Sequence, residues 1–266
     1  MSKKRLIYQV CLGQAKNSKL YKHCIESVTA YCERHNITHM VQEQPLLKIT
    51  PDPFMSNRSR ESWSKHGGYL PIYEKENAFS WLDDFDQIAI IDADIYMRPD
   101  APNIFDDMDC NCAFGAVCER EMPITEKYKG KITNYSMMQY KDLHSNRHNF
   151  KPNNLGFEFF NMGLIVLNCK QFKPYLKGQT PEEFIKRTEF MDFVNGKGAW
   201  KWSTDQTLLN FFLKKYKVPT KHLDWKWNGL YTANTKIDEC YFVHFFLKDL
   251  LPSQGENVEE LMKLIC

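Results

Sequence analysis

Two apolar runs stand out along the chain, and polar residues bound both of them. Ile88 to Ile91 is continuously apolar and is followed by Asp92 and Asp94. Phe159 to Asn168 forms the second run. A continuous apolar run between polar residues is typical of a strand buried on both faces, as in the middle of a parallel sheet. The pattern therefore predicts two central strands, with Asp92 and Asp94 at the carboxyl end of the first.

The amino-terminal region predicts a strand, a helix and a second strand. Arg5 to Gly13 predicts a strand that ends at a glycine, and Asn17 to His35 has apolar residues at helical spacing. Thr38 to Gln42 predicts the second strand. The turn after the first strand would lie at the ligand-binding edge of a parallel sheet. It contains no Gly-x-Gly-x-x-Gly, which argues against a dinucleotide fold.

Helical and strand patterns also alternate over the rest of the chain. Thr180 with Glu183, and Ser203 with Gln206, fit the capping box that begins many helices. The predicted elements are a polar segment from Asn57 to Gly68, a helix from Pro71 to about Leu82, a helical turn from Asn103 to Met108, a strand from Cys112 to Cys118, a helix from Pro181 to about Val194, a helix from Ser203 to Tyr216 and a strand from Tyr241 to Phe246.

One long polar segment, Glu119 to Asn154, shows neither helical nor strand periodicity. Loops of this length are usually functional or disordered, so the segment is either a lid on the acceptor side of a site or an ordinary surface excursion. His144 and His148 within it are four residues apart. With no glutamate beside them and no helix predicted around them, they do not indicate a metal site.

Composition limits the possible partners. With 266 residues and 43% hydrophobic content, the chain can bury one sizeable core, and we expect a single domain over residues 1–266. The 35 basic residues nearly balance 33 acidic ones, so nothing demands a nucleic acid or an anionic membrane as partner. The amino-terminal apolar stretch is too short and too mixed for a secretory signal, and no transmembrane segment follows.

The cysteines favour a reducing environment. Nine of them, an odd number, are scattered through positions that are predicted to be core, which favours reduced thiols in a cytosolic protein. Cys110 and Cys112 with Cys118 raise the alternative of a zinc site, but a second pair at metal-binding spacing is missing.

Asp92 and Asp94 are candidate metal ligands. In extended backbone residues i and i+2 point the same way, so the two carboxylates can converge on one ion at the strand's carboxyl end. Two hard oxygen donors suit Mg²⁺ or Mn²⁺. The alternative is that both residues cap a following turn. We favour the metal site, because two aspartates at the end of an apolar core strand cost stability unless something compensates their charge.

The apolar strand, the Asp-x-Asp and the proline shortly after it resemble the metal-binding motif of GT-A fold glycosyltransferases. The order of the later motifs is similar to that of the retaining families 8 and 34. The resemblance implies an α/β, Rossmann-like fold with a mostly parallel, mixed central sheet flanked by helices. It also implies a divalent cation, Mn²⁺ with Mg²⁺ as the other possibility, that is held against the diphosphate of a nucleotide-sugar.

The resemblance also implies roles for individual residues. Asp92, Asp94 and His244 would bind the metal, with Asp92 on the ion or on the ribose. Asp205 and Gln206 would be the catalytic residues beneath the transferred sugar. The residues that would bind the donor are Val10, Cys11 and Leu12 at the end of the first strand, Lys65, Asp92, Ala93, Asn161, Gly163 and Lys248.

Several of these residues have a structural alternative that the sequence leaves open. Lys65 is also consistent with a solvated surface lysine, and a lone histidine in an apolar strand, such as His244, is commonly a core residue. No glycine follows His244, and Lys248 comes at the fourth position, so the match departs from the commoner His-x-x-Gly-x-x-Lys-Pro pattern. Trp225 and Trp227 either stack on sugar faces or fill the core. We also expect burial to lower the pKa of His244 and leave it neutral.

We therefore expect a metal-dependent glycosyltransferase, of hexosyltransferase type, that moves a sugar from a UDP-linked donor to a glycan, lipid or protein acceptor with retention. One alternative is an inverting enzyme of the same fold, with Glu119 or Asp224 as general base. Another is a non-catalytic carbohydrate-binding protein. A sugar nucleotidyltransferase would need a Gly-rich phosphate loop after the first strand, which is absent. The expected location is the cytoplasm, with peripheral membrane association if the acceptor is a lipid.

Overall fold

The computed structural model describes residues 3–109, 111–140, 143 and 151–265. Its strands are β1 (Arg5–Val10), β2 (Thr38–Gln42), β3 (Gln87–Ile91), β4 (Ile95–Met97), β5 (Phe114–Cys118), β6 (Phe160–Asn168), β7 (Thr220–His222), β8 (Gly229–Leu230) and β9 (Phe242–His244). Its α-helices are α1 (Lys19–His35), α2 (Asn57–His66), α3 (Glu126–Tyr140), α4 (Cys169–Leu176), α5 (Pro181–Ile185), α6 (Met191–Val194), α7 (Asp205–Lys215) and α8 (Val258–Ile265). Short 3-10 helices lie between them, among them Gly13–Asn17, Pro71–Trp81, Glu119–Glu121 and Trp225–Asn228.

A six-stranded central sheet has the order β2-β1-β3-β6-β5-β7. β1 is parallel to β2 and β3, β5 is parallel to β7, and β6 is antiparallel to both of its neighbours, β3 and β5. Every residue of β3 and β6 is buried, as the two apolar runs predict. Because β6 runs the opposite way, its first residues lie at the edge where β3 and β5 end. Polar residues from three strands therefore meet at one edge of the sheet.

A smaller sheet, with the order β4-β9-β8, lies beyond that edge. β4 follows β3 directly after the two aspartates, and Ile95 pairs with His244 of β9 in antiparallel register. β8 is parallel to β9, and Leu230 also pairs with His244. The small sheet therefore brings His244 next to the residues that follow β3.

The central sheet is covered on both faces, as the alternation of side chains along a strand requires. Leu6 of β1 belongs to the core cluster that contains Phe172 of α4 and Phe212 of α7. Ile7, the next residue along β1, belongs to the cluster on the other face, with Val28 of α1. The predicted α/β fold with a mixed sheet flanked by helices is confirmed. None of the described helices has the length and apolar character that crossing a bilayer requires.

Two predicted elements are wrong in this structure. The segment predicted as a structureless loop contains α3, whose buried side chains include Ser136 and Gln139 as well as Ile132. Because polar residues share the buried face, no apolar stripe reveals the helix. His144 and His148 lie outside the described residues. The single helix predicted from Pro181 to Val194 is interrupted, since α5 ends at Ile185 and a 3-10 helix, Thr188–Phe190, comes before α6.

The interruption has a tertiary cause. Arg187 has ψ 136°, outside the helical range. Its guanidinium donates hydrogen bonds to the carbonyl oxygens of Tyr175 and Leu176 at the end of α4. It also lies over the ring of Phe184, 4.7 Å from the centroid. These contacts hold the chain in a conformation that a continuous helix would not allow.

The region before β3 is more helical than predicted. The polar segment Asn57 to Gly68 forms α2, which begins with a capping box between Ser56 and Ser59. The helix predicted to begin at Pro71 is present, but as the 3-10 helix Pro71–Trp81. A capping box with serine at both positions falls outside the Glu or Gln pattern that usually identifies it, which explains why α2 is inconspicuous in the sequence.

Candidate active site

Asp92, Asp94 and His244 meet at the carboxyl end of β3. One ligand atom from each lies within 4.8 Å of the others. His244 Nε2 is 3.3 Å from Asp94 Oδ1 and 3.8 Å from Asp92 Oδ2. The backbone N–H of Asp92 donates to the carbonyl oxygen of Gly163, which ties the turn after β3 to β6. Two carboxylates and one imidazole nitrogen form a donor set that fits a divalent ion such as Mn²⁺.

The pKa of His244 is raised, so the expectation of a lowered pKa is wrong. Burial alone acts to lower it. The carboxylate of Asp94, which accepts a hydrogen bond from the imidazole, and the charge of Asp92 outweigh that effect. The same contact holds the pKa of Asp94 below its usual value, although burial of the carboxylate acts to raise it. The two carboxylates therefore favour the charged form of the imidazole more than burial disfavours it.

A buried hydrogen-bond chain fixes which nitrogen of His244 faces the carboxylates. The backbone N–H of Gly163 donates to Asn161 Oδ1, so the amide Nδ2 of Asn161 is free to donate to Glu119 Oε1. Asn228 Nδ2 donates to Asn161 Oδ1 at 2.8 Å, which leaves Asn228 Oδ1 to accept from His244 Nδ1 at 3.0 Å. Nδ1 therefore carries the hydrogen, and Nε2 is the nitrogen that could bind an ion.

Glu119 links this hydrogen-bond chain to Gln206. Its Oε1 accepts from Asn161 Nδ2 at 2.8 Å and from Gln206 Nε2 at 3.1 Å. Burial raises the pKa of Glu119, and the two hydrogen bonds act against that shift. The chain Gln206–Glu119–Asn161–Asn228–His244 thus connects a predicted catalytic residue to a predicted metal ligand.

Gln206 is positioned by a cap that differs from the predicted one. The N-cap of α7 is Thr204, whose Oγ1 accepts from the backbone N–H of Gln206 at 3.2 Å. Ser203, the predicted cap, instead donates to the carbonyl oxygen of Phe193. Because Gln206 is not used in a capping box, its side chain is available to contact Glu119.

Lys75 is the residue that the sequence analysis missed. Its Nζ lies 2.8 Å from Asp92 Oδ1, 2.9 Å from Asp205 Oδ2 and 2.9 Å from the carbonyl oxygen of Met162. Burial acts to lower the pKa of Lys75, but Asp205 and then Asp92 raise it well above its usual value. The signal in the sequence that could have identified Lys75 is Glu74-Lys75-Glu76, three consecutive charged residues in a segment predicted to be helical. In the structure both glutamates are buried.

The charge of the buried Asp205 is compensated by Lys75. The Asp205 side chain is buried, and burial raises its pKa, while the ammonium group of Lys75 acts in the opposite direction. Lys75 therefore bridges a predicted metal ligand and a predicted catalytic residue. The two carboxylates tolerate each other because the ammonium lies between them.

A cavity of about 340 Å³ opens onto these groups. Asp92, Asp94, Lys75 and Asp205 form its charged part. The apolar part of its lining includes Val10, Leu12, Tyr21, Ile72 and Ala93. The apolar part is suited to a flat ring, but three carboxylates and one ammonium group would repel a phosphate unless a cation came with it.

Other predicted donor-binding residues lie near this cavity without lining it. Cys11 is buried, and its backbone N–H donates to the carbonyl oxygen of Gln42. Lys248 Nζ donates to Ser18 Oγ and lies 4.3 Å from the ring centroid of Tyr21, which does line the cavity. Both residues are within one side chain of the cavity, and their contact with a donor stays a prediction.

Lys65 has the surface position that the sequence left open as its alternative, and Gly163 has a packing role. Lys65 is an exposed residue of α2 that pairs with Glu61, so its approach to donor phosphates stays a prediction. A Cβ atom on Gly163 would lie 2.4 Å from Cε1 of His244. The glycine is therefore required for the imidazole to fit, whether or not its backbone also approaches a ligand.

The remaining candidates have contacts within the fold. Trp227 is buried, and its indole Nε1 donates to Asp107 Oδ2 at 2.8 Å, so it fills the core. Trp225 is half-buried and packs against the core clusters. Asp224, a candidate base, caps the 3-10 helix Trp225–Asn228 by accepting from the backbone N–H of Lys226.

Replacing His244 with alanine tests its predicted role as a metal ligand. We expect the variant to bind Mn²⁺ at least about tenfold more weakly, because removing even a residue that only hydrogen-bonds to a metal ligand usually reduces metal affinity by that much. Because Mn²⁺ must displace the proton on Nε2, wild-type affinity should rise with pH through the raised pKa of His244, and the variant should lose that dependence. Titration of Mn²⁺ followed by electron paramagnetic resonance measures both.

The matched control is His66→Ala, which removes an exposed imidazole at the end of α2. It should leave Mn²⁺ affinity unchanged. If His244→Ala instead lowers the thermal stability of the metal-free protein and leaves its Mn²⁺ affinity intact, then His244 is a core residue and not a ligand.

Comparison with solved structures identifies the fold. The chain is similar to galactosyltransferase LgtC in complex with donor and acceptor sugar analogs, with 12% identity, 98% of this chain and 95% of that chain covered, and a TM-score of 0.56. An active-site mutant of LgtC has 14% identity, 98% and 96% coverage, and a TM-score of 0.52. Mouse xyloside xylosyltransferase 1, apo form, has 12% identity, 94% and 100% coverage, and a TM-score of 0.50. The predicted GT-A fold is confirmed.

The sequence matches no protein-family model and no curated protein. At this level of identity, the structural likeness carries the fold and not the activity. What the chain does must therefore be inferred from the side chains that its own fold brings together.

Proposed function

We propose that this chain is a metal-dependent glycosyltransferase, a single GT-A domain over residues 1–266, that takes a sugar from a nucleoside-diphosphate sugar. The observation that carries the proposal is the meeting of Asp92, Asp94 and His244 at a cavity that also contains Lys75 and Asp205. The names of the similar structures, a galactosyltransferase and a xylosyltransferase, support the same reaction class. A UDP-sugar is the first donor to test, and the acceptor would carry a carbohydrate or another hydroxyl group.

Asp92, Asp94 and His244 would hold the ion. When bound, Mn²⁺ would neutralise negative charge on the diphosphate leaving group, with Mg²⁺ as the weaker candidate because it prefers an all-oxygen shell. Lys75 holds the carboxylates of Asp92 and Asp205 in place by ion pairs of 2.8 and 2.9 Å. Because the charge of Lys75 is already paired with these two carboxylates, the ion would supply the positive charge that the departing diphosphate needs.

Asp205 and Gln206 would lie beneath the sugar. Positive charge develops at the anomeric carbon as the glycosidic bond breaks, and a carboxylate together with an amide oxygen stabilises it. Gln206 Oε1 also accepts from the backbone N–H of Met162 at 3.4 Å, while its Nε2 donates to Glu119. The orientation of the Gln206 amide is therefore fixed before any substrate binds.

The base-dependent alternative, inversion, is less well supported. A general base must reach the acceptor hydroxyl, directly or through one water. Glu119 is 5% exposed and accepts hydrogen bonds from Asn161 and Gln206, and Asp224 is used as a helix cap. A non-catalytic carbohydrate-binding protein would have no use for the ion ligands and the buried lysine.

We expect the transferred sugar to keep its anomeric configuration. The reason is that Asp205 and Gln206 would stabilise charge in the proposed site, while both candidate bases have structural partners. Proton NMR of the first-formed product from an α-linked donor distinguishes the outcomes through the anomeric coupling constant. A β-linked product would show inversion and would contradict the roles proposed for these two residues.

Thermal shift with a panel of UDP- and GDP-sugars, each with and without Mn²⁺, tests the function itself. A ligand that binds only the native state raises stability in proportion to ln(1 + [L]/Kd), so the true donor should give the largest shift. The shift should require Mn²⁺. If no nucleotide-sugar, and neither UDP nor GDP with Mn²⁺, stabilises the protein, the proposed function is wrong.

A further inference from the structure

A second cluster of metal-binding side chains lies at the end of β5. One ligand atom each from Cys118, Glu121 and His222 lies within 4.8 Å of the others. Cys118 is the last residue of β5, Glu121 ends the 3-10 helix that follows, and His222 is the last residue of β7. β5 and β7 are parallel neighbours, and Ala116 pairs with His222. We refer to these three residues as the β5/β7 cluster.

The imidazole in this cluster is held by its surroundings. His222 Nδ1 lies 3.0 and 3.1 Å from the two carboxylate oxygens of Glu121. Its other nitrogen, Nε2, lies 3.6 Å from Glu158 Oε2. The ring of Phe160 meets the imidazole edge to face at 4.9 Å. A histidine with one nitrogen toward a ligand site and the other toward a carboxylate is a common arrangement around protein-bound zinc.

The donor set indicates the type of ion. A thiolate, an imidazole and a carboxylate together favour Zn²⁺ over Mg²⁺, Ca²⁺ or Mn²⁺, which prefer oxygen ligands. Cys118 is fully buried, whereas the side chains of His222 and Glu121 are 39% and 49% exposed. A cavity of about 330 Å³ opens beside His222, and Glu158, Lys214 and Lys217 also line it. An ion would thus have sulfur beneath it and an open position toward solvent.

A purely structural account of the cluster is incomplete. The contact between Glu121 and His222 is a surface ion pair, and such pairs contribute about 1 kcal/mol or less to stability. That pair needs no cysteine beneath it. The sequence pointed to Cys110 and Cys112 as possible zinc partners of Cys118, but Cys110 lies outside the described residues. The close partners of Cys118 in the structure are instead Glu121, three residues along the chain, and His222 on a separate strand.

We propose that Cys118, Glu121 and His222 bind a zinc-type divalent ion at a site separate from the Asp92, Asp94 and His244 cluster. On binding, the Cys118 sulfur forms a bond to the ion and its thiol proton passes to solvent. Glu121 and His222 supply the other two ligand atoms, and water completes the coordination.

The location of this site gives it a consequence for the candidate active site, and this consequence alone rests on the proposed function. Glu119, which accepts from Gln206, directly follows Cys118 in the chain. Asn228, which accepts from His244, belongs to the 3-10 helix that follows β7. An ion on the β5/β7 cluster joins the two segments that carry these residues. Occupancy therefore restrains the hydrogen-bond chain that orients Gln206 and His244.

Cobalt substitution tests the site in the full-length protein without any activity assay. Co²⁺ bound to a thiolate produces a sulfur-to-metal charge-transfer absorption that oxygen and nitrogen ligands do not. Co²⁺ added in excess of both candidate sites should produce this band, and Zn²⁺ should remove it by displacement. The band should persist in His244→Ala, because the first cluster contains no sulfur. The protein should carry no histidine tag.

Three variants identify the ligands. Cys118→Ser should abolish the band, and His222→Ala, a change on the half-exposed edge of β7, should weaken Co²⁺ binding by at least roughly tenfold. The matched control is Cys112→Ser, which removes a partly exposed cysteine just before β5 and should leave the band intact. No thiolate band after Co²⁺ has been added in excess of both candidate sites, or a band that survives both Cys118→Ser and His222→Ala, overturns the proposal. Neither result bears on whether nucleotide-sugars bind.

Discussion

Replacing Asp94 with asparagine should reduce Mn²⁺-dependent hydrolysis of the donor by at least about a hundredfold, the scale for losing one group that stabilises charge in a transition state. The substitution preserves the shape of the side chain and removes the charge that would hold the ion. It also removes the carboxylate that raises the pKa of His244, so the imidazole should be easier to deprotonate. Release of UDP from the nucleotide-sugar, followed without acceptor, measures the rate.

The control is Asp100→Asn, which changes an exposed aspartate beyond β4 in the same way. Its turnover should match that of the wild type. Excess EDTA should stop the wild type and have little further effect on the Asp94 variant. Undiminished wild-type turnover in EDTA would remove the metal from the proposed mechanism, whatever the variants show.

Replacing Lys75 with methionine should lower the free energy of unfolding by about 3–5 kcal/mol, the usual effect of removing one partner from a buried ion pair. Asp92 and Asp205 would each lose a cation that now lies within 3 Å. The pKa of Lys75 is raised in the folded protein, so its contribution is complete at neutral pH and is lost only when pH rises through that pKa. Urea denaturation at neutral pH measures the loss.

The pH dependence of the Lys75→Met variant gives a second test. Burial already raises the pKa of Asp205, and without the lysine that pKa should rise further. A carboxyl group whose folded pKa exceeds its unfolded value favours the folded state when protonated. The variant should therefore recover stability relative to wild type as pH falls. A constant difference across pH would contradict the charge-based account.

Lys65→Met is the matched control, because Lys65 is exposed and pairs with Glu61 across one helical turn. Its stability should change by less than about 0.5 kcal/mol. Comparing the donor affinities of the two variants also tests which lysine approaches the phosphates. A larger loss of donor affinity in the Lys65 variant than in the Lys75 variant would restore the sequence-based prediction.

Local patterns in the sequence predict the centre of this fold correctly. β3 and β6 are continuous apolar runs because both of their faces are buried, and that condition is visible residue by residue. The capping box at Thr180 is also present, because a cap needs only residues within one turn. The single helix predicted from Pro181 to Val194 is interrupted, because the side chain of Arg187 bonds to carbonyl oxygens at the end of another helix.

Sequence reasoning also identified the three side chains that meet as the candidate metal site, although for two different reasons. Asp92 and Asp94 follow from local chemistry, since charged residues at the end of a buried strand need compensation. His244 followed only from the resemblance to GT-A enzymes. Its position is set by the pairing of β9 with β4, which the spacing along the chain does not contain.

The sequence by itself determined the buried strands, the edge at which Asp92 and Asp94 lie, and the alternation that leads to an α/β fold. Tertiary structure alone decided that Lys75 bridges Asp92 and Asp205, that Asn228 and Asn161 link His244 to Glu119, and that His222 reaches Cys118. The reason is physical. Strand burial and capping depend on neighbours within a few residues, whereas these contacts depend on the register and direction of strands that are far apart in the chain.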